Sequence, residues 1–546
     1  MLDGDLDPIP WYRIAQLVAS ILGVTAISVL ICDVYLWTRL PRGPVPLPFI
    51  GNKFDIPKSK PWLQFERWSK IYGPVFPIWI GRKPTLVISD PQVAVDLMEK
   101  RSAKYSSRPR MVVMGEVYNG NASILTQPYG KGWSVRRKLL HQALNPKALE
   151  LYKPTQEAEA ARLCYRLLGN PSAWEKELER FTSSVVFCVA YGHRIDSLDA
   201  RVIADRFRFM HNMASLNVPG RYLAESFPLL AKLPTSLAPW IKEVRAMGDE
   251  EARANMALLQ MVKDDIATAE KRGASQGIPD SLCKLLLELW QTEHVPLSEK
   301  HFSYIPASLF GAGSDTTAST LCSAFLALVT HPSVLQEAQK ELDSVVGCER
   351  MPRFADRPRL PYVNALCKEV LRWRPVAVLG GTPHASTEDD EYKGFHIPAG
   401  ATILGNSWSI NLNEKYYPQP HKFNPVRFLS TEQLKAIGID EQPYTSMRSH
   451  PSRIGHSSFE WGRRICPGAD LASNSLLIAL ARLLWAYDIL PREGVTYDTL
   501  AYTDGFNIRP RSFECIIRIR SSHHGGIVEK EQVTSMEWLD KFSPFE

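Results

Sequence analysis

Cysteine pairing is the first thing missing from this sequence of 546 residues: its nine cysteines show no spacing that suggests a disulfide framework or a zinc site. That argues against a cystine-stapled secreted fold and for a reducing compartment. Charge of one sign is scarce as well. A net +6 over this length gives no argument for nucleic acid as a partner. No internal repeat is present, which sets aside solenoids and propellers. No glycine-rich stretch has the setting of a nicotinamide or flavin site, so any reducing equivalents must come from outside the chain. Finally, residues 14–37, IAQLVASILGVTAISVLICDVYLW, lack charge except for Asp33. As a helix they extend about 36 Å at 1.5 Å per residue, enough for a hydrocarbon core of about 30 Å. A cleaved secretory signal needs a basic start, whereas this one carries Asp3, Asp5 and Asp7, so the run reads as a retained anchor. Arg39 and Arg42 after it, against Arg13 alone before it, orient the rest of the chain toward the cytosol. PRGPVPLPFIGN then forms a stiff connection.

What is present centres on residues 459–468, FEWGRRICPG. Cys466 stands alone, its neighbours in sequence being Cys367 and Cys515. A free cysteine is most often a small buried hydrophobe, and one sulfur cannot close a tetrahedral zinc site. It can hold a metal that brings its other ligands with it. Gly462 permits a turn that a side chain would obstruct, and Gly468 allows close approach of a bulky partner. The following ADLASNSLLIALARLLWAYDIL has helical spacing, which puts Cys466 just before a helix N-terminus, where N–H groups and the dipole favour a thiolate. Arg464 adds a fixed charge that can grip a carboxylate. So read, the loop offers a thiolate to something large and flat.

Four further segments carry polar residues in suggestive patterns. GAGSDTT, 311–317, lies between apolar flanks that suit a buried helix, where hydroxyls compete for backbone carbonyls and can bend or widen the ladder. Alone it reads rather as an ordinary core helix with a small-residue packing face. KEVLR, 368–372, sets Glu369 and Arg372 on one helix face. GKGWSVRRKLLHQAL sets Trp133 and Arg137 four residues apart, again on one face, both with N–H donors. In GGTPHASTEDDEYKGFHIPAGA, His384 sits in a loop.

The pattern Phe459, Gly462, Arg464, Cys466, Gly468 resembles the haem-binding loop of the cytochrome P450 family, the haem-thiolate monooxygenases. The other segments stand in that family's order. GAGSDTT is similar to its oxygen-activating helix, and FNPVRF, 423–428, to the segment whose arginine, here Arg427, joins Glu369 and Arg372 in a buried triad. The resemblance implies a mainly α (α+β) fold, a helical haem domain with small β-sheets behind the transmembrane helix. Length alone suggests three or four domains. Since residues 133, 316, 372, 427 and 466 are needed around one cofactor, the expectation is a single catalytic domain over 53–546, after a lumenal 1–13, the anchor 14–37 and a hinge 38–52.

The same resemblance implies a haem b (iron protoporphyrin IX) held by Cys466, with Phe459, Gly462, Arg464 and Gly468 shaping the loop and Trp133, Arg137 and His384 directed at propionates. Asp315 and Thr316 would manage proton delivery. The electron source would be an NADPH-cytochrome P450 reductase, docked partly on Arg136, Lys138 and Arg463, in the endoplasmic reticulum membrane. Pocket stretches 108–126, 209–218, 305–316, 376–382 and 502–507 contain Met111, Val113, Met114, Phe209, Met213, Phe310, Val378, Leu379 and Phe506, which points to a lipophilic small-molecule substrate. TEDDEYKGFHIPAG is similar to fungal members of the O-methylsterigmatocystin oxidoreductase type, which suggests secondary metabolism. The rival classes are a haem-thiolate isomerase or dehydratase, and a non-catalytic haem-binding protein. Pro306 is the departure, expected to kink the oxygen-activating helix and disturb its upstream half.

Overall fold

The computed structural model describes residues 10–218, 220–273, 278–438 and 448–545. Asp3, Asp5 and Asp7, and the middle of the polar stretch 430–458, lie outside the described residues. The apolar run forms one helix, Trp11–Arg39, with no residue buried. Its single internal acid, Asp33, is paired in a fork with Arg82 at 2.9 Å, which fixes the last turns of the helix against the turn of the first hairpin. A second helix apolar enough to cross a membrane, Ala469–Ala486, is instead 78% buried by its neighbours and belongs to the core.

A hairpin pairs Val75–Ile80 with Lys83–Ile88, antiparallel. Thr402–Gly405 adds in parallel, and His384–Ala385 closes the edge antiparallel. Small sheets elsewhere pair Asp390–Tyr392 with Phe395–Ile397 and Tyr487–Pro491 with Cys515–Ile519. The sheets are minor. Most of the core is helix on helix.

Its axis is the central helix Glu299–Thr330, capped by Ser298, whose hydroxyl accepts from the N–H of His301. Almost every residue from Thr317 to Val329 is buried. Pro306 does not break it. The proline deletes one donor in the second turn, but Ser303, Tyr304, Ile305 and Pro306 are all buried, and this packing holds the helix continuous. The expected widening at 311–317 is absent too: the segment stays α-helical. Gly313 serves close approach instead, since a Cβ there would lie 2.6 Å from Val186 on the neighbouring helix Trp174–Tyr191. Further along that contact Trp174 stacks on Phe325, rings 4.8 Å apart.

Helix Pro146–Gly169 offers a face rich in alanine, with Ala158, Ala160 and Ala161 buried, to helix Ala469–Ala486 and to a helix the sequence reading missed, Ser522–Leu539. Trp538 of the latter donates to Thr155 at 3.1 Å. The chain then pairs Ser543–Pro544 in parallel with His193–Arg194, and Phe545 lies edge-on to Phe187, 5.1 Å away. Residues 91–105, helical in sequence pattern, form two short α turns around a π turn, Val95–Lys100.

Candidate active site

The loop before helix Ala469–Ala486 is held from both sides. Gly462 has φ +55°, and a Cβ there would stand 2.0 Å from the carbonyl oxygen of Met98, so only glycine fits. Trp461 is buried against Gly380 and Gly405, where a Cβ would meet its ring at 2.7 and 2.3 Å. The Cys466 N–H donates to the Phe459 carbonyl at 2.9 Å, and the Gly468 N–H donates to the sulfur.

The sulfur faces a cavity of about 1180 Å³. Cys466, Pro467, Gly468 and Leu471 line one side, and Ala307 to Thr317 of the central helix the other. Phe459, Trp133, Arg137 and Arg464 also line it. Burial pushes the Cys466 thiol up to about 11, opposed by the Gly468 N–H and the Arg137 charge. The Gly468 N–H at the helix start does favour the thiolate, and burial outweighs it. Arg464 is turned away from the sulfur onto the carbonyls of Ser106 at 2.7 Å and Gln127 at 2.8 Å, with its guanidinium over the Trp133 ring.

Two residues that the sequence reading did not single out complete this end. Arg108, 5% exposed, bonds Glu460 Oε2 at 3.0 Å and the Thr382 carbonyl. Glu460 adopts φ +63° inside the loop and is buried. They are far apart in sequence, and only the fold joins them. At the Cys466 end of the cavity three arginines, Arg108, Arg137 and Arg464, face one carboxylate, Glu460. Burial, together with Arg108, lowers Arg464 to about 9, and burial lowers Arg137 also. This is the strain of cations lacking an anion. A flat porphyrin with two carboxylates and a central cation meets all of these demands, and the residues present fit a haem.

His384 does not line the cavity. It lies buried behind Glu460, its Nδ1 2.7 Å from the Tyr105 carbonyl and its Nε2 4.0 Å from Glu460 Oε2, and burial lowers it to about 3, so it is neutral. On the opposite wall the Thr316 hydroxyl donates back to the Ala312 carbonyl at 2.8 Å, leaving its oxygen able to accept from a group in the cavity. Asp315 accepts from Asn507 Nδ2 at 3.2 Å. Buried Arg206, bonded to Glu179 at 3.0 Å and to the Ser314 hydroxyl, and Arg509 add positive potential at Asp315.

Met114, Phe209, Met213, Phe310 and Phe506 line the cavity as expected. Met111, Val113, Val378 and Leu379 do not: they serve apolar packing around it. Arg136 cannot belong to a docking surface, because it is 2% exposed and donates to the Gly132 carbonyl. Lys138 is exposed but paired with Glu293 at 2.7 Å, and Arg463 is exposed and bonded to the Tyr129 hydroxyl.

A mainly helical fold with a half-buried cysteine facing a small-residue helix across a cavity whose near end gathers arginines defines a haem-dependent oxidase. The comparisons make that specific. The family profile described as Cytochrome P450 matches residues 41–516. Cytochrome P450 monooxygenase 58 of Postia placenta is 37% identical over 501 residues, 88% of this chain and 89% of that one. Cytochrome P450 monooxygenase aneD of Aspergillus aculeatus is 32% identical over 537 residues, 96% of each. A zebra fish cytochrome P450 structure with abiraterone is similar at TM-score 0.65 and 25% identity, covering 84% of this chain and all of that one. The chain belongs to the cytochrome P450 family, whose members carry haem, and it is a monooxygenase of that family. None of these names specifies the O-methylsterigmatocystin subtype.

Arg137 lines the cavity and has no hydrogen-bonded protein partner among the described residues. Arg137→Ala is expected to speed haem loss about tenfold, the order of a lost charge-assisted hydrogen bond. Transfer of the pigment to excess apomyoglobin measures it.

Proposed function

We propose that Cys466 is the proximal ligand of a haem b whose propionates are held by Trp133, Arg137 and Arg464, with His384 and the Arg108–Glu460 pair behind them. The observation that carries this is that Arg108, Arg137 and Arg464 gather against the single carboxylate of Glu460 at the end of the cavity that holds the cysteine sulfur. Bound there, a thiolate-ligated haem supplies oxygen activation, inserting one atom of O2 into the substrate while the other leaves as water.

The chain's own part is position and protons. The apolar lining excludes water and holds a lipophilic substrate against the central helix. Thr316 Oγ1 accepts and passes on a hydrogen bond at the oxygen-binding side, and Asp315, kept in place by Asn507, relays protons to it. This acid–alcohol pair favours monooxygenation over isomerisation or dehydration. Electrons come from an NADPH-cytochrome P450 reductase in the same endoplasmic reticulum membrane, reached through the single anchor 14–37 and the hinge 38–52. Residues 53–546 form the cytosolic catalytic domain, and the product belongs to fungal secondary metabolism.

With reductase, NADPH and O2, the membrane-bound protein is expected to add the mass of one oxygen to a lipophile drawn from panels of polyketides, terpenoids and indoles. Thr316→Ala is expected to keep consuming NADPH while product per NADPH falls by about a factor of ten or more, the scale of a lost positioned proton donor. Full coupling in that variant contradicts the relay.

A further inference from the structure

The far end of the cavity is not apolar. Helix Pro239–Lys271, which the sequence reading left out of the pocket, turns Glu251 and Asn255 into it, four residues apart and on one face. Both are buried, at 9% and 7% exposure. From the central helix Tyr304 donates its phenol to Glu251 Oε2 at 3.2 Å. A third element brings Asn119, which is 1% exposed, lines the same cavity, and whose Oδ1 has no hydrogen-bond partner among the described residues. The Asn255 side chain likewise makes no hydrogen bond to protein among those residues. An unpaired buried amide oxygen is costly, so a cavity meant only for hydrocarbon has no reason to keep one here. Tyr304 and Thr316 are twelve residues apart on one helix, about 18 Å along its axis.

We propose that Glu251, Asn119, Asn255 and Tyr304 form a subsite for an alcohol or phenol, so that the substrate is an elongated lipophile with a free hydroxyl at the end remote from the carbon oxidised. The chemistry selects a hydroxyl over a carbonyl or ether. Asn119 Oδ1 needs a donor, and the Glu251 carboxylate, already bonded by Tyr304, keeps lone pairs for another, while the Asn255 amide N–H and the protonated carboxyl can donate to the same oxygen. Burial raises Glu251 to about 7, so near neutral pH it serves in either sense. Tyr304 and Tyr118 are the titratable groups facing it. The inference deepens the haem-site reading and rests on it.

The test uses the holoprotein and three probes whose imidazole ligates haem iron, observed by the absorbance shift of nitrogen ligation: N-dodecylimidazole, its ω-hydroxy analogue and its ω-methoxy analogue. The hydroxy probe is expected to bind about tenfold tighter than the methoxy probe, the size of one buried hydrogen bond. The N-hexyl pair, too short to reach, is expected to show no difference. Asn119→Leu and Glu251→Leu are each expected to bring the dodecyl ratio to near one while N-dodecylimidazole itself still binds, and either variant suffices if the other fails to fold. Equal binding of hydroxy and methoxy probes to the wild type, or a ratio that survives the variants, overturns the subsite: the polar groups then hold only water. Failure of N-dodecylimidazole to shift the spectrum at all would instead overturn the haem-site reading.

Discussion

Cys466→Ser is expected to abolish oxygenation and to shift the carbon monoxide complex of the reduced protein away from the long-wavelength band of thiolate-ligated haem. Serine keeps the size and most of the loop: the Cys466 N–H bond to Phe459 and the glycine fit of Gly462 against Met98 do not depend on sulfur. What changes is the donor. An alkoxide is harder to form than a thiolate in a site whose burial already raises the thiol to about 11. Since partners that merely orient a metal ligand are worth 10–100-fold, removing the ligand itself is expected to cost more than about a hundredfold in turnover. The measurement is product formed per haem, alongside the spectrum. A serine variant with an unaltered thiolate band would mean that the iron is held by another group.

The second large effect concerns folding. Glu369 and Arg372 are both fully buried, joined by two bonds of 2.6 and 2.8 Å. Arg372 also holds the Asn411 carbonyl at 3.0 Å, Glu369 accepts from the Asn424 N–H at 2.7 Å, and Arg427 approaches the same carboxylate at 3.4 Å. Glu369→Gln preserves the shape but leaves two buried guanidiniums facing a neutral amide. Breaking a buried pair in this way costs about 3–5 kcal/mol. The variant is expected to lose its haem band at a clearly lower temperature and to yield little holoprotein. Glu369→Leu combined with Arg372→Leu is expected to be less harmful than either single change, because no strong charge pair is left half-broken. A single variant as stable as the wild type would show that the pair is solvated.

These two sites were legible in the sequence for a shared reason. Cys466 lies in a loop whose glycines and arginines are close in sequence, and Glu369 and Arg372 meet through helical spacing alone, so local geometry carries the message. The central helix was legible too, but its details were not. A proline in a helix costs several kcal/mol in isolation, and nothing local announces that Tyr304, Ile305 and Pro306 are packed tightly enough to absorb it. Glu460 could have drawn attention as an acid in a basic loop, yet its partner Arg108 is 352 positions away and only the fold joins them. Arg136 looks like a surface cation because it sits in a basic string, and is buried because its face of helix Lys131–Ala143 turns inward. Glu251 and Asn255 were overlooked because a long charged helix reads as solvated until its neighbours are known.

The segment after Ile519 changes where this protein should be cut. The family profile ends at residue 516, yet Trp538 is anchored on Thr155 and Phe545 forms part of the cavity wall. Trimming the gene to the recognisable portion would bare the alanine-rich flank of helix Pro146–Gly169 to water and unseat an aromatic that closes the reaction chamber. Anyone preparing the enzyme for crystals or for biocatalysis does better to keep that stretch whole.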